Sequence, residues 1–207
     1  RRHSFPTRRS SDLDATIKHS GNYSAKLQSQ YVALFGIGAF AAGNVFVGKF
    51  LKIDGTDGIL RFGRPFTSRP SKLVLYYRYV AGTVDYSTLG ELPKNSKDMG
   101  SIYIALGDWP HQTFEGETDI PVLVKTKPAD RQLFDSNSSN VIGYGECILK
   151  ESTEGEGLIK LEIPINYRSN RKPTDIILVG SASRYGDYFT GSTGSTLWLD
   201  DLELIYE

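Results

Sequence analysis

The chain alternates short strand-like runs with turn clusters and never sustains helical spacing for three turns, and this pattern most constrains its fold. The runs are Tyr23–Ser29, Val45–Phe50, Ile59–Arg64, Leu73–Val80, Ser101–Leu106, Ile120–Lys125, Val141–Leu149, Leu158–Ile165, Asp175–Ser181 and Ser195–Tyr206. Between them stand clusters such as Asp54-Gly55-Thr56-Asp57-Gly58 and Asp135-Ser136-Asn137-Ser138-Ser139-Asn140. Parallel neighbours would need crossover helices, so about ten strands joined by turns predict an all-β, antiparallel β-sandwich of the jelly-roll kind. A content of 21 Gly, 12 Tyr and 10 Phe agrees, since aromatics suit a pleated surface and glycine suits turns. Only Tyr31–Ala42 is apolar enough to form a short helix.

The opening residues Arg1 to Leu13 belong to a different pattern. Read back into codons, His3 to Leu13 resembles a standard short-read sequencing adapter, so residues 1–13 are expected to be non-native and disordered, as a scar is excluded before fold reasoning. Four arginines lie there; without the segment 20 basic residues face 23 acidic ones, a net charge of −3, and nucleic-acid binding is not expected. The remaining stretch, 14–207, suffices for one jelly-roll domain. No run of eighteen apolar residues is present, so no membrane-spanning helix is expected. The single cysteine, Cys147, excludes an intramolecular disulfide and reads as a small buried hydrophobe.

Several segments carry a family likeness. They are Ala42-Gly43-Asn44-Val45-Phe46-Val47-Gly48-Lys49-Phe50, Phe62-Gly63-Arg64-Pro65-Phe66-Thr67-Ser68-Arg69-Pro70 running into Leu73–Tyr79, and Ile102-Tyr103-Ile104-Ala105-Leu106-Gly107-Asp108-Trp109. The last is Ser183-Arg184-Tyr185-Gly186-Asp187-Tyr188-Phe189-Thr190-Gly191 leading to Leu197-Trp198-Leu199-Asp200-Asp201-Leu202-Glu203-Leu204. In this order they resemble the "Putative carbohydrate metabolism domain" (PCMD) family of Bacteroidetes. The resemblance implies a β jelly roll built like a carbohydrate-binding module, usually behind an immunoglobulin-like domain in an exported, often lipid-anchored protein, with a proposed role in glycan recognition. An upstream domain and anchor are therefore expected to be missing from this sequence, and the location is expected to be the cell surface or periplasm.

A sugar binder needs an apolar platform for the pyranose ring and a few placed polar groups for its hydroxyls. Asp108-Trp109-Pro110 has that chemistry just after a strand, although the indole could equally cover the end of the sandwich. Between two glycines, Arg184, Tyr185, Asp187 and Tyr188 either wall a pocket or fold onto the core; the Arg fork and the Asp oxygens suit vicinal hydroxyls. Strand alternation puts Leu73, Leu75, Tyr77 and Tyr79 on one face, and Arg64, Tyr77 and Tyr79 are candidates for a concave binding face.

Alternation in the last strand sets Trp198, Asp200, Leu202, Leu204 and Tyr206 opposite Leu197, Leu199, Asp201, Glu203 and Ile205. Asp200 and Asp201 need partners in an apolar strand: the likeness of this ending to those of jelly-roll carbohydrate-binding modules implies a structural Ca²⁺ shared with oxygens of Ser20-Gly21-Asn22-Tyr23, and ordinary hydrogen-bond donors are the alternative. A glycosidase would need two carboxylates from Asp108, Glu115, Glu117, Glu146, Asp187, Asp200 and Asp201, but no Glu-x-Asp-x-Glu cluster of the laminarinase-like kind is present. His19 and His111 are too few for a histidine-rich metal site, and no nucleophile-elbow or phosphate-binding loop occurs. Three functions follow: a non-catalytic domain for an oligo- or polysaccharide, a carboxylate-pair glycosidase, or a surface-assembly domain with an envelope-protein partner.

Overall fold

A computed structural model describes residues 11–34, 37–55 and 57–206. In chain order the strands are β1 (Ser11–Asp14), β2 (Ser24–Gln28), β3 (Gln30–Leu34), β4 (Ile37–Ala41), β5 (Asn44–Phe46), β6 (Gly48–Asp54), β7 (Asp57–Phe62), β8 (Arg64–Pro65), β9 (Lys72–Val80) and β10 (Tyr86–Ser87). They continue with β11 (Gly100–Gly107), β12 (Gln112–Phe114), β13 (Glu117–Ile120), β14 (Val122–Lys125), β15 (Val141–Leu149), β16 (Ile159–Pro164), β17 (Asn166–Tyr167), β18 (Asp175–Ser181), β19 (Thr190–Gly191) and β20 (Thr196–Ile205).

Two main sheets form an antiparallel jelly-roll sandwich. The first has the order β1-β2-β20-β9-β16, the second β17-β15-β11-β18-β5 with β8 also on β18. Successive long strands change sheets, from β9 to β11, β15 to β16, β16 to β18 and β18 to β20, which is why neighbours in space are distant in sequence. Alternation turns Leu73, Leu75 and Tyr79 of the first sheet and Ile102, Ile104 and Leu106 of the second into one buried core with Leu27, Ile163, Leu197 and Leu199.

The other face of the second sheet is not left to solvent. A three-stranded sheet, β14-β7-β6, covers part of it, and Phe62, Val122 and Val124 pack there against Ala105, Ile177, Val179 and Trp109 in a second core. The rest of that face carries Tyr103, Tyr144 and Glu146, because β11 and β15 pair Tyr103 with Glu146 and Ala105 with Tyr144, and Leu133 and Phe134 pack over it.

Three expectations are corrected. Strands β3 and β4 pair antiparallel with Tyr31 opposite Phe40, so no helix is found among the described residues of 31–42. Ser11, Asp12 and Leu13 extend β1 along Leu27, Lys26 and Ala25, so the disorder expected through residue 13 does not reach these three; backbone pairing on an edge strand asks little of side-chain identity. Residues 1–10 lie outside the described residues. The strict alternation expected for the last strand breaks at a bulge between Asp200 and Glu203, where Asp201 takes φ +47°. Leu204 therefore returns to the side of Leu197 and Leu199, while Leu202 faces outward.

Candidate functional site

The site is built on the face of β11 and β15 that lies beyond the three-stranded sheet. Tyr103 stands at its centre, its ring stacked on Phe134 at 5.4 Å and 6.1 Å from the Tyr144 ring. The segment leaving β18 forms one wall. Arg184 is anchored by its backbone N–H on the Met99 carbonyl and ion-pairs through its guanidinium with Glu146. A single turn, Gly186–Tyr188, then brings Asp187 over the sheet, and Tyr185 and Tyr188 meet edge to face at 6.4 Å. The opposite wall comes from the segment after β14: Arg131 donates to the Thr126 carbonyl and lies 4.9 Å from the Tyr188 ring.

Burial governs the titration of the cleft. It pushes the Tyr103 phenol well above its usual range, with the negative charge of Asp187 adding to it. The Tyr144 phenol is pushed up to about 12, by burial first and then by the Glu146 carboxylate. Asp187 is raised by burial, against the pull of the Arg131 charge. Neither the Asp187 carboxylate nor the Tyr103 hydroxyl meets a hydrogen-bond partner among the described residues, while Glu146 is held by Arg184. The cleft thus presents aromatic rings, a bound ion pair and two polar groups with hydrogen-bonding capacity to spare.

Of the residues that the sequence offers as candidates, Arg184, Tyr185, Asp187 and Tyr188 lie on this one segment beside β11 and β15. Tyr103, Tyr144, Glu146 and Arg131 join them. Glu146 is one of the seven carboxylates that the sequence offers; for Tyr103 the signal is the parity of Ser101 and Tyr103 against Ile102, Ile104 and Leu106, while local pattern gives none for Tyr144 and Arg131.

The remaining candidates stand elsewhere. Trp109 is buried at 8 % exposure, its ring lying where a Cβ on Gly107 would sit 2.4 Å away, so it is a core residue and offers no platform. Tyr79 is fully buried, its hydroxyl donating to the Ala182 carbonyl, and Tyr77 packs on the same core; the shared face that alternation indicated is the inter-sheet core. Arg64 is exposed on β8 and pairs with Ile176, on the face opposite Tyr103. Asp108 caps the β11 end, 3.4 Å from Arg171 and 3.4 Å from the Thr174 hydroxyl.

Asp200 and Asp201 meet donors. Asp200 Oδ2 accepts the His19 amide at 2.8 Å, and Asp201 accepts the Ser20 hydroxyl at 2.8 Å with His19 Nδ1 2.7 Å from its other oxygen. The His19 contact, before that of Ser20, holds Asp201 below the usual carboxylate range. Groups that donate to a carboxylate compete with a cation for the same lone pairs, so this pair does not fit a Ca²⁺ site as arranged. Among the described residues no group of three or more His, Cys, Asp or Glu is placed to hold a metal ion.

The model of the "Putative carbohydrate metabolism domain" matches residues 4–205. The chain belongs to the PCMD family. Among solved structures, this PCMD chain is similar to a putative glycoside hydrolase from Bacteroides thetaiotaomicron, with 22% identity and a TM-score of 0.66, over 96% of this chain and 57% of that one. A putative glycoside hydrolase from Bacteroides vulgatus matches at 24% identity and a TM-score of 0.67, over 96% of this chain and 78% of that one. The PCMD chain thus spans little more than half the length of the first of these, and at such identities the likeness is one of fold. No curated protein matches the sequence.

Proposed function

We propose that the cleft between Arg131 and Arg184 binds a saccharide, and that the domain recognises an oligo- or polysaccharide in carbohydrate metabolism without itself cleaving it. The observation that carries this reading is the pair of unsatisfied polar groups, Asp187 and the Tyr103 hydroxyl, set among the rings of Tyr103, Tyr144 and Tyr188. A sugar offers what such a site lacks: hydroxyls that both donate and accept, and C–H faces that pack on rings. Membership of a carbohydrate-metabolism family supports it, and the surface or periplasmic location belongs to the same proposal. Calorimetric titration with a glycan selected on an array tests it. Asp187→Ala is expected to weaken binding by about tenfold or more, the equivalent of about 1.4 kcal/mol, with the fold retained; unchanged affinity removes Asp187 from the site.

One observation favours a second reading, hydrolysis. Burial biases Asp187 toward its protonated form while Arg184 pairs with Glu146, and two carboxyls in unlike environments are the acid and the base or nucleophile of a glycosidase. The fold likeness to the two putative glycoside hydrolases is compatible with it. Release of reducing ends that stops in both Asp187→Asn and Glu146→Gln would establish this reading over the first; a folded domain that binds a glycan without turnover would exclude it.

A further inference from the structure

A second concavity opens at the end of the sandwich where β2, the β3–β4 hairpin and β10 meet. Its volume is about 750 Å³, and Gln28, Gln30, Tyr31, Tyr86 and Lys94 line it. Among the described residues none of the two carboxamides, the ammonium group or the two phenol hydroxyls has a hydrogen-bond partner. Asp85, in the same lining, is by contrast fully engaged: both its oxygens accept the Thr193 amide, at 3.1 and 3.2 Å, and Oδ2 also accepts the Thr193 hydroxyl.

The aromatic part of the lining is fixed in place. Tyr86 stacks on Tyr31 at 5.0 Å and on Phe40 at 5.9 Å, and Tyr31 lies across Gly38, where a Cβ would come within 2.6 Å of its ring. Strand β19 pairs with β10, so the segment that walls the cleft with Arg184 and Asp187 continues directly into this second concavity at Thr193.

We propose that this concavity is a separate saccharide site. Two carboxamides each present a donor and an acceptor in one plane, the complement of two neighbouring hydroxyls on a sugar ring. The Lys94 ammonium and the two phenol groups add donors around them, and the stacked tyrosines make a rigid wall. An apolar ligand would leave all of these groups unpaired, and a single small anion would use only Lys94; a polyhydroxylated ring uses the set. The site does not depend on the cleft reading, because it shares no side chain with it.

The test is a nuclear magnetic resonance titration of the isotope-labelled chain with hexasaccharides of glucose, xylose, mannose, galactose and galacturonic acid, each to about 10 mM, enough to reveal millimolar affinity. The proposal expects saturable shifts of the Gln28 and Gln30 side-chain amides and the Thr193 amide with at least one probe. The variant Gln30→Ala/Lys94→Ala is expected to weaken that response by about tenfold or more while leaving any response of Arg184 and Tyr103 in place. No saturable shift at Gln28, Gln30 and Thr193 with any of the five probes overturns the proposal, as does an undiminished response in the variant. The cleft reading is scored separately by Arg184 and Tyr103 in the same spectra, so either site can fail alone.

Discussion

Replacing Asp98 tests how the sandwich is closed at one end. The residue is fully buried just before β11, and its Oδ2 accepts the Ser183 hydroxyl at 2.6 Å, the Ser195 hydroxyl at 2.7 Å and the Ser192 amide at 2.8 Å, while Oδ1 accepts the Met99 amide at 2.8 Å. Through Ser183 the network reaches Ser29 at the end of β2, and through Ser195 it reaches the Gly82 amide. Asp98→Ala leaves four donors without an acceptor, three of them buried and the Met99 amide half-buried, each worth about 1–3 kcal/mol, a total comparable with the whole stability of about 5–15 kcal/mol of a domain. That variant is expected to be unfolded or nearly so.

Asp98→Asn is the quantitative variant. If its amide oxygen keeps the three-donor side, only the Met99 amide loses its acceptor, and the cost is about 1–3 kcal/mol, or a fall of about 1 M in the urea midpoint. Burial, against the four hydrogen bonds, holds the Asp98 carboxyl above its usual range in the folded protein. The native state then binds a proton more readily than the unfolded chain. The wild type's contribution from this group is complete below the ordinary carboxylate pKa and declines as pH rises through the raised native value. Urea unfolding across that window should show the gap between wild type and Asp98→Asn narrowing as pH rises. An Asn variant as stable as wild type, or a gap that widens with pH, would refute the reasoning, the latter by showing that the four donors outweigh burial.

Trp109→Ala should destabilise the domain by about 3–5 kcal/mol in chemical unfolding, because it empties a core site over Gly107; a loss under about 1 kcal/mol would contradict the burial. His111→Ala leaves the buried Asp175 carboxylate, which now takes His111 at 3.0 Å and Thr174 at 2.7 Å, with Thr174 alone among side chains. A cost of about 1–3 kcal/mol is expected, and Asp175→Asn in the same background should recover part of it in thermal unfolding. In spectrophotometric titration Tyr144 should ionise near pH 12 in the folded protein, and Glu146→Gln should lower that value because the carboxylate charge raises it; an unchanged value would separate the two side chains.

The ten strand-like runs are all found extended, since alternation and turn chemistry are local properties that a single sequence displays. The parity of Leu73, Leu75, Tyr77 and Tyr79 was equally legible, but not which layer that face would meet. Two sheets and a third small one give the second sheet a core on each face, and so Trp109, whose loop position left both projection and cover of the sandwich end open, packs inward. Arg184, Tyr185, Asp187 and Tyr188 were visible as a dense polar and aromatic segment between glycines. Their partners Tyr103, Tyr144 and Glu146 depend on the register of β11 on β15, a pairing across about forty residues that local pattern does not specify. The bulge at Asp201 was hidden for a related reason: one strand's alternation does not show where its neighbour skips a residue.

The central claim, that the cleft over β11 and β15 receives a saccharide, is tested most directly by a crystal structure of the domain with a glycan it has been shown to bind. The account predicts a sugar ring against Tyr103, Tyr144 or Tyr188 with its hydroxyls within hydrogen-bond reach of Asp187 and the Tyr103 hydroxyl. A glycan seated away from this cleft, with Asp187 and Tyr103 still unpartnered, would contradict it.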